Sequence, residues 1–376
     1  MNKILQIIRQ LESAGENPKE TIRKSMAQSG KKAIGCFPIY APEELVYSAG
    51  FLPIGMWGGP KNGTLSDRYL QTFCCSIMKA NTELALSGSY DMLSGIILTA
   101  YCDTMKCIME NWKMALPHLR LIPMVYPQNR KAASGVAFME EEFTRVKAQL
   151  EELRGGQITE QELTEAVDCY DDYRRTMQQF TKLASRHPAI FTARRRHAVI
   201  KAASFMDKRV YTEKMKQIIC GLEKLEPEVT DHKRVILTGL MAEPAEVLDL
   251  LEENRLFVAA DDLAQETRQF SVIAPKKGSA IERMAQRIAM QDGCTFLYDA
   301  EKSRGIRLME LKKQYNADAI IFCQLKFCDP DEFDYPIIKK QMEAAEIPLL
   351  HIELEQQMES LGQIRTRLQG FAEILE

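Results

Sequence analysis

Two apolar runs in this chain end the same way, in a cysteine followed at once by an aspartate: MLSGIILTAYCDT closes on Cys102–Asp103 and DAIIFCQLKFCDP on Cys328–Asp329. Each run has the length and branched-aliphatic content of a buried strand, and a helix-like stretch follows each. In an open α/β sheet, ligands sit in the crevice beyond the carboxyl ends of the strands. A thiol carried there from each half of the chain is expected to bind metal. Cys75, in CCSIMKA, is expected in the first turn of a helix capped by Thr72, and Asp103 and Asp329 are expected to cap the helices after Cys102 and Cys328. At a helix N-terminus, free N–H groups and the dipole favour negative charge, which lowers thiol pKa and donates hydrogen bonds to metal-bound sulfur.

Three ligands from remote segments suit an iron–sulfur cluster, although the ferredoxin run of closely spaced cysteines is absent. The spacings Cys102-x4-Cys107 and Cys323-x4-Cys328 also permit a four-cysteine zinc site. Free cysteine packs well as a small hydrophobe, so unligated core thiols are the third reading, and spacing alone leaves all three open. Cys36, Cys169, Cys220, Cys294 and Cys323 read as isolated core positions.

The elements that must position these thiols follow from patterning. At 376 residues the chain exceeds the usual size of a single core. An amphipathic helix opens it, followed by a strand (KKAIGCFPIY), a helix with Pro42 at its start and Gly50 past its end, and a second strand. From about Met139 to Glu226 the pattern is nearly all helical, with Gly155–Gly156 as a stop and Thr159/Glu162 as a capping box. From Lys233 the α/β pattern restarts, and aligning Ala33 with Val235 also matches Pro42 with Pro244 and Glu44 with Glu246. The expected fold is α/β: two Rossmann-like, doubly wound parallel-sheet lobes related by duplication, with a helical segment between them. The expected domains are 1–138 with Cys75 and Cys102, 139–230 helical, and 231–376 with Cys328.

Composition excludes several functions. Hydrophobic residues at 45% and charged residues at 27% are ordinary for a globular protein. A net charge of −3 argues against nucleic-acid binding. No apolar stretch reaches the roughly 18 residues that span a bilayer, and the charged N-terminal helix is not a signal-peptide pattern, so a cytoplasmic location is expected. There is no Gly-rich phosphate loop. The run Arg194-Arg195-Arg196-His197 reads by default as a solvated helix face, with coenzyme A phosphates or a protein partner as the sharper alternative. Asp261–Asp262 and Glu266–Arg268 read as capping residues and a surface pair, or as a wall of the crevice. Glu43–Glu44 suit a helix first turn. His118, His187, His197, His232 and His351 lack metal-ligand spacing and read as structural.

The segments GCFPIYAPEELVYSAGFLPIGMWG, CCSIMKA, CDTMKC, YPQNR, VAADDLAQETRQF and KFCDPDEFDYP together resemble the β subunit of the (R)-2-hydroxyacyl-CoA dehydratases, over essentially the whole chain. That family includes 2-hydroxyisocaproyl- and 2-hydroxyglutaryl-CoA dehydratase and is related to benzoyl-CoA reductase. The resemblance implies a 4Fe-4S cluster held by Cys75, Cys102 and Cys328. Cys74 leaves a one-residue ambiguity, and Ser76 after Cys75 favours Cys75. Cys107 and Cys323 are left to packing. It further implies a homologous α subunit that binds most of the acyl-CoA substrate, and a transient ATP-dependent iron–sulfur activator. One electron would pass through the clusters to the thioester carbonyl, making a ketyl radical that expels hydroxide and returns the electron as the (E)-2-enoyl-CoA leaves. No acid–base residue is assigned to this subunit. The competing expectations are a subunit of a benzoyl-CoA-type reductase and a non-catalytic metal- or thiol-containing scaffold.

Overall fold

The computed structural model describes residues 2–37, 39–60 and 63–376. Its eight strands form two four-stranded sheets of the same all-parallel topology, β2-β1-β3-β4 and β6-β5-β7-β8. The first comprises β1 (Ala33–Phe37), β2 (Leu52–Gly55), β3 (Leu93–Ala100) and β4 (Leu121–Val125); the second comprises β5 (Lys233–Gly239), β6 (Leu256–Leu263), β7 (Ala319–Leu325) and β8 (Leu349–Leu354). Strands β1, β6 and β7 are buried along their whole length, as parallel strands covered on both faces must be. This is the expected pair of α/β lobes. The duplication is visible in detail, since Pro42 and Pro244 are the N-caps of equivalent helices, α3 (Glu43–Ser48) and α10 (Ala245–Glu253). Gly50, at φ +79, takes the left-handed position after α3 that favours glycine.

Before β1 lie α1 (Asn2–Glu16) and α2 (Pro18–Ser29). In the first lobe α4 (Ser76–Leu86) precedes β3, and α5 (Asp103–Ala115) joins β3 to β4. Between the sheets run α6 (Ala133–Arg154), α7 (Glu160–Ala184), α8 (Ala193–Ala202) and α9 (Lys208–Leu222). Helix α6 ends at Gly155 in left-handed conformation, and α7 starts at the full Thr159/Glu162 capping box, as patterning predicts. Met139, Phe143, Val146 and Leu150 of α6 join the core of the first sheet. By contrast α7, α8 and α9 pack with α1 around Met177, Phe180, Phe191 and Tyr211. In the second lobe the crossover from β6 to β7 carries α11 (Thr267–Phe270), α12 (Ala280–Ala289) and α13 (Arg304–Tyr315); α14 (Asp329–Ala344) links β7 to β8, and α15 (Gly362–Leu375) follows.

The basic run on α8 is not a solvated face. Arg194 pairs with Glu16 and Asp249 and Arg195 with Glu12, while Arg196 and His197 are buried. Arg196 bonds Asp261 and lies 3.5 Å from Glu266; His197 sits between Glu266 at 2.8 Å and Glu243 at 3.3 Å. Asp262 is likewise buried and holds Arg268 and Arg307, each at 2.8 Å. The surface-pair reading of Glu266–Arg268 fails for the same reason. Helix α8 lies between α1 and α10, so its polar side is covered from both directions and must find internal partners.

Candidate functional site: a pocket with three cysteines

In the order β2-β1-β3-β4, the chain reverses direction of travel between β1 and β3, and the crevice beyond the carboxyl ends of those two strands is the topological switch point. The same holds for β5 and β7. One small pocket lies at both switch points together: Ile39 (after β1), Cys102 (after β3), Leu240 (after β5) and Cys328 (after β7) all line it. Helix α4 adds Cys75 and Met78, and Phe296 and Phe327 complete an otherwise mostly apolar wall. The three cysteines singled out from the sequence therefore share one pocket, although Cys75 and Cys328 lie 253 positions apart by numbering.

Local structure explains how each thiol is presented. Cys75, Cys102 and Cys328 are themselves the N-caps of α4, α5 and α14. This corrects the capping expected of Thr72, Asp103 and Asp329. Thr72 lies outside α4, where its carbonyl accepts from Lys79. Asp103 and Asp329 are the first helical residues, where their charge still favours the dipole. No cysteine accepts a well-formed capping hydrogen bond. The N–H groups of Met78, Met105 and Asp331 nevertheless approach the sulfurs and favour their thiolate forms.

That effect does not win, contrary to the expectation of lowered thiol pKa. The neighbouring Cys74 sulfur and burial push Cys75 well up, burial pushes Cys102 to about 11, and burial and Asp331 push Cys328 well up. Only Cys74 is lowered, by its contact with Cys75. At Cys102 and Cys328 desolvation of a thiolate in an apolar wall outweighs the N–H dipoles, and at Cys75 the Cys74 sulfur outweighs them first.

Phe327, at φ +63, is a left-handed aromatic residue immediately before Cys328, a backbone state costing on the order of 1–3 kcal/mol. The turn is closed by the Cys328 N–H donating to Leu325 O at 3.0 Å. Gln356 holds the lobes together beside the pocket: its N–H donates to Ser76 Oγ at 3.0 Å, and its carboxamide donates to Trp57 O and to Glu243 at 2.9 Å. Neither Phe327 nor Gln356 stands out in the sequence. For Phe327 the only available signal is a strand-to-helix turn lacking glycine.

Cys107 is exposed and Cys323 is buried inside β7; neither lines the pocket, which weakens the four-cysteine arrangement. Cys220 is exposed and Cys169 half-buried, so only Cys36, Cys294 and Cys323 of the five expected core thiols are buried. Among the described residues, no three His, Cys, Asp or Glu side chains are grouped so as to hold a metal ion as they stand. The donor set itself, three thiols with N–H groups beside them in an apolar wall, has the chemistry of a soft metal or metal–sulfur site. No helix of the described residues is long and apolar enough to cross a membrane.

These features define a two-lobed α/β protein whose thiol pocket lies between facing switch points. Residues 38–375 match the family described as 2-hydroxyglutaryl-CoA dehydratase, D-component, and the chain belongs to that family. It is 43% identical over 360 residues to the (R)-phenyllactyl-CoA dehydratase beta subunit of Clostridium sporogenes, covering 96% of each chain. It is 38% identical to the lactoyl-CoA dehydratase subunit beta of Anaerotignum propionicum over the full length of both. A benzoyl-CoA reductase subunit of Thauera aromatica is more distant, 23% identical over 93% of this chain and 92% of its own.

Proposed function

We propose that this chain is the β-type subunit of an (R)-2-hydroxyacyl-CoA dehydratase, and that Cys75, Cys102 and Cys328 hold a 4Fe-4S cluster. The observation that carries the reading is the meeting of three helix-capping cysteines in one pocket, in a chain 43% identical to a subunit of a named dehydratase. When bound, such a cluster supplies one-electron transfer. The chain's own residues anchor it through three thiolates, aim the N–H groups of Met78, Met105 and Asp331 at the sulfurs, and keep water away with Met78, Leu240 and Phe296. The electron comes from an ATP-dependent activator and passes on to a homologous α subunit, where most of the acyl-CoA is bound and dehydrated through a ketyl radical. This chain accordingly supplies no acid or base, and it works in the cytoplasm of an anaerobe as one half of a heterodimer. Dehydration is preferred to benzoyl-CoA-type reduction because dehydratase subunits are 36–43% identical to it and the reductase subunit 23%.

The test is anaerobic purification with the α-like partner, followed by iron and sulfide analysis. Cys102→Ala and Cys328→Ala are expected to lose the iron of this subunit, and Cys323→Ala to keep it. Equal loss in all three refutes the ligand set, and a colourless, iron-free wild type favours the scaffold reading. Turnover of a panel of 2-hydroxyacyl-CoA esters without net consumption of reductant separates dehydratase from reductase.

A further inference from the structure

A second cavity begins one residue along the chain from the thiol pocket: Ile39 lines the pocket, and Tyr40 lines the cavity with Glu44, Arg174 of α7, Arg287 of α12 and Gln265 of the β6–α11 turn. It leaves about 50 Å³ to the centres of water-sized molecules. About 10–15 Å³ by that measure suffices for one water, so the space suits a molecule of a few heavy atoms.

The polar groups facing it are unevenly satisfied. Arg287 is 5% exposed and, among the described residues, donates no hydrogen bond; the nearest acid, Glu44, is 3.6 Å away and already bonded to Arg174. Its Nε is buried without a partner, and so are Arg174 Nε and Gln265 Nε2. Tyr170 Oη on the same wall is unpartnered as well, so four orphaned groups face the cavity, and each of them can donate. A guanidinium carries five N–H donors, and buried ones normally find acceptors. Charge is uneven in the same sense. Of the acids on the wall, Glu43 is paired with Lys208, Glu266 with Arg196 and His197, and Glu44 with Arg174, so Arg287 is the cation there without a carboxylate of its own. Burial and the neighbouring Arg174 accordingly depress the pKa of Arg287. Water would satisfy the donors but not the charge, whereas a carboxylate satisfies both, and the planar fork of a guanidinium matches it.

We propose that this cavity binds a small monocarboxylate, held chiefly by Arg287 with Arg174 and Gln265 as further donors. The site is independent of any metal at the cysteines. It gives the subunit a second ligand site, one residue along the chain from the thiol pocket.

Formate, acetate and inorganic phosphate, each against a chloride control of equal ionic strength, are titrated by calorimetry into the protein as purified with its partner subunit. Saturable binding of formate or acetate at one site per chain is expected, weakened at least about 10-fold by Arg287→Gln and partly restored by Arg287→Lys, which returns charge without the fork. Glu44→Gln removes the competing acid and is expected to tighten it. Binding of phosphate alone overturns the carboxylate assignment, and no saturable binding beyond chloride overturns the site. Should the variants fail to fold, wild-type crystals grown in formate decide: density for a planar anion on Arg287 supports the proposal, and water alone refutes it.

Discussion

Replacing His197 with Gln should make the protein's stability insensitive to a pH range in which the wild type weakens. Burial lowers the pKa of this imidazole, but Glu266 and Glu243 overturn that and hold it at about 9, against 6.5 for a free histidine. At about 1.4 kcal/mol per tenfold, the folded state favours the charged ring by about 3 kcal/mol. A raised folded pKa contributes stability that is complete below pH about 6.5 and disappears as pH rises through about 9. Near 60 °C unfolding entropy is about 2.1 cal/mol/K per residue, so 3 kcal/mol is worth roughly 4 °C in Tm for a chain of 376 residues melting as one unit. Circular dichroism melts of wild type and His197→Gln from pH 6 to 10 should therefore show the wild-type advantage shrinking by about that amount. The variant leaves Arg196 on Asp261 and Lys201 on Glu243, so groups titrating elsewhere cancel in the difference. Parallel curves for the two proteins would refute the assignment of a charged, doubly paired His197.

Glu44 behaves in the opposite sense: burial raises it, but Arg174 and Arg287 bring its pKa down to about 2, so its contribution is present above pH 4.5 and is lost as pH falls through about 2. Glu44→Gln should cost about 3–5 kcal/mol in urea unfolding at neutral pH, with the gap to wild type narrowing on acidification. Gly15→Ala should destabilise by about 1–3 kcal/mol, because a Cβ there would stand 2.0 Å from the Ala198 carbonyl oxygen and force α1 off α8. A denaturant midpoint no lower than wild type would show that α1 shifts freely.

Legibility in the sequence tracked the range of the forces involved. Strand β7 could be read because burial on both faces demands the continuous apolar run AIIFCQL, and α7 because Thr159 and Glu162 cap each other three residues apart. The repeat of Pro42 at Pro244 was visible because each starts a helix locally. The failures came where a partner far along the chain decides the outcome. Arg196 and Glu266 look like surface charges until α8 is placed between α1 and α10. The thiols of Cys75, Cys102 and Cys328 look activated by their helix ends until an apolar wall from both lobes is closed over them.

The chain by itself thus determined the class of fold, the duplication, and that Cys75, Cys102 and Cys328 stand at helix starts, the last two just beyond strands, since these depend on periodicity and capping within a turn or two. Only the tertiary structure decided that the two switch points face one pocket, that Phe327 takes a left-handed turn to present Cys328, and that Arg287 faces a cavity without a hydrogen-bond partner among the described residues. Desolvation and ion pairing depend on what closes over a side chain, and that covering comes from other elements, whether His197 meeting Glu243 and Glu266 or Arg287 meeting Glu44.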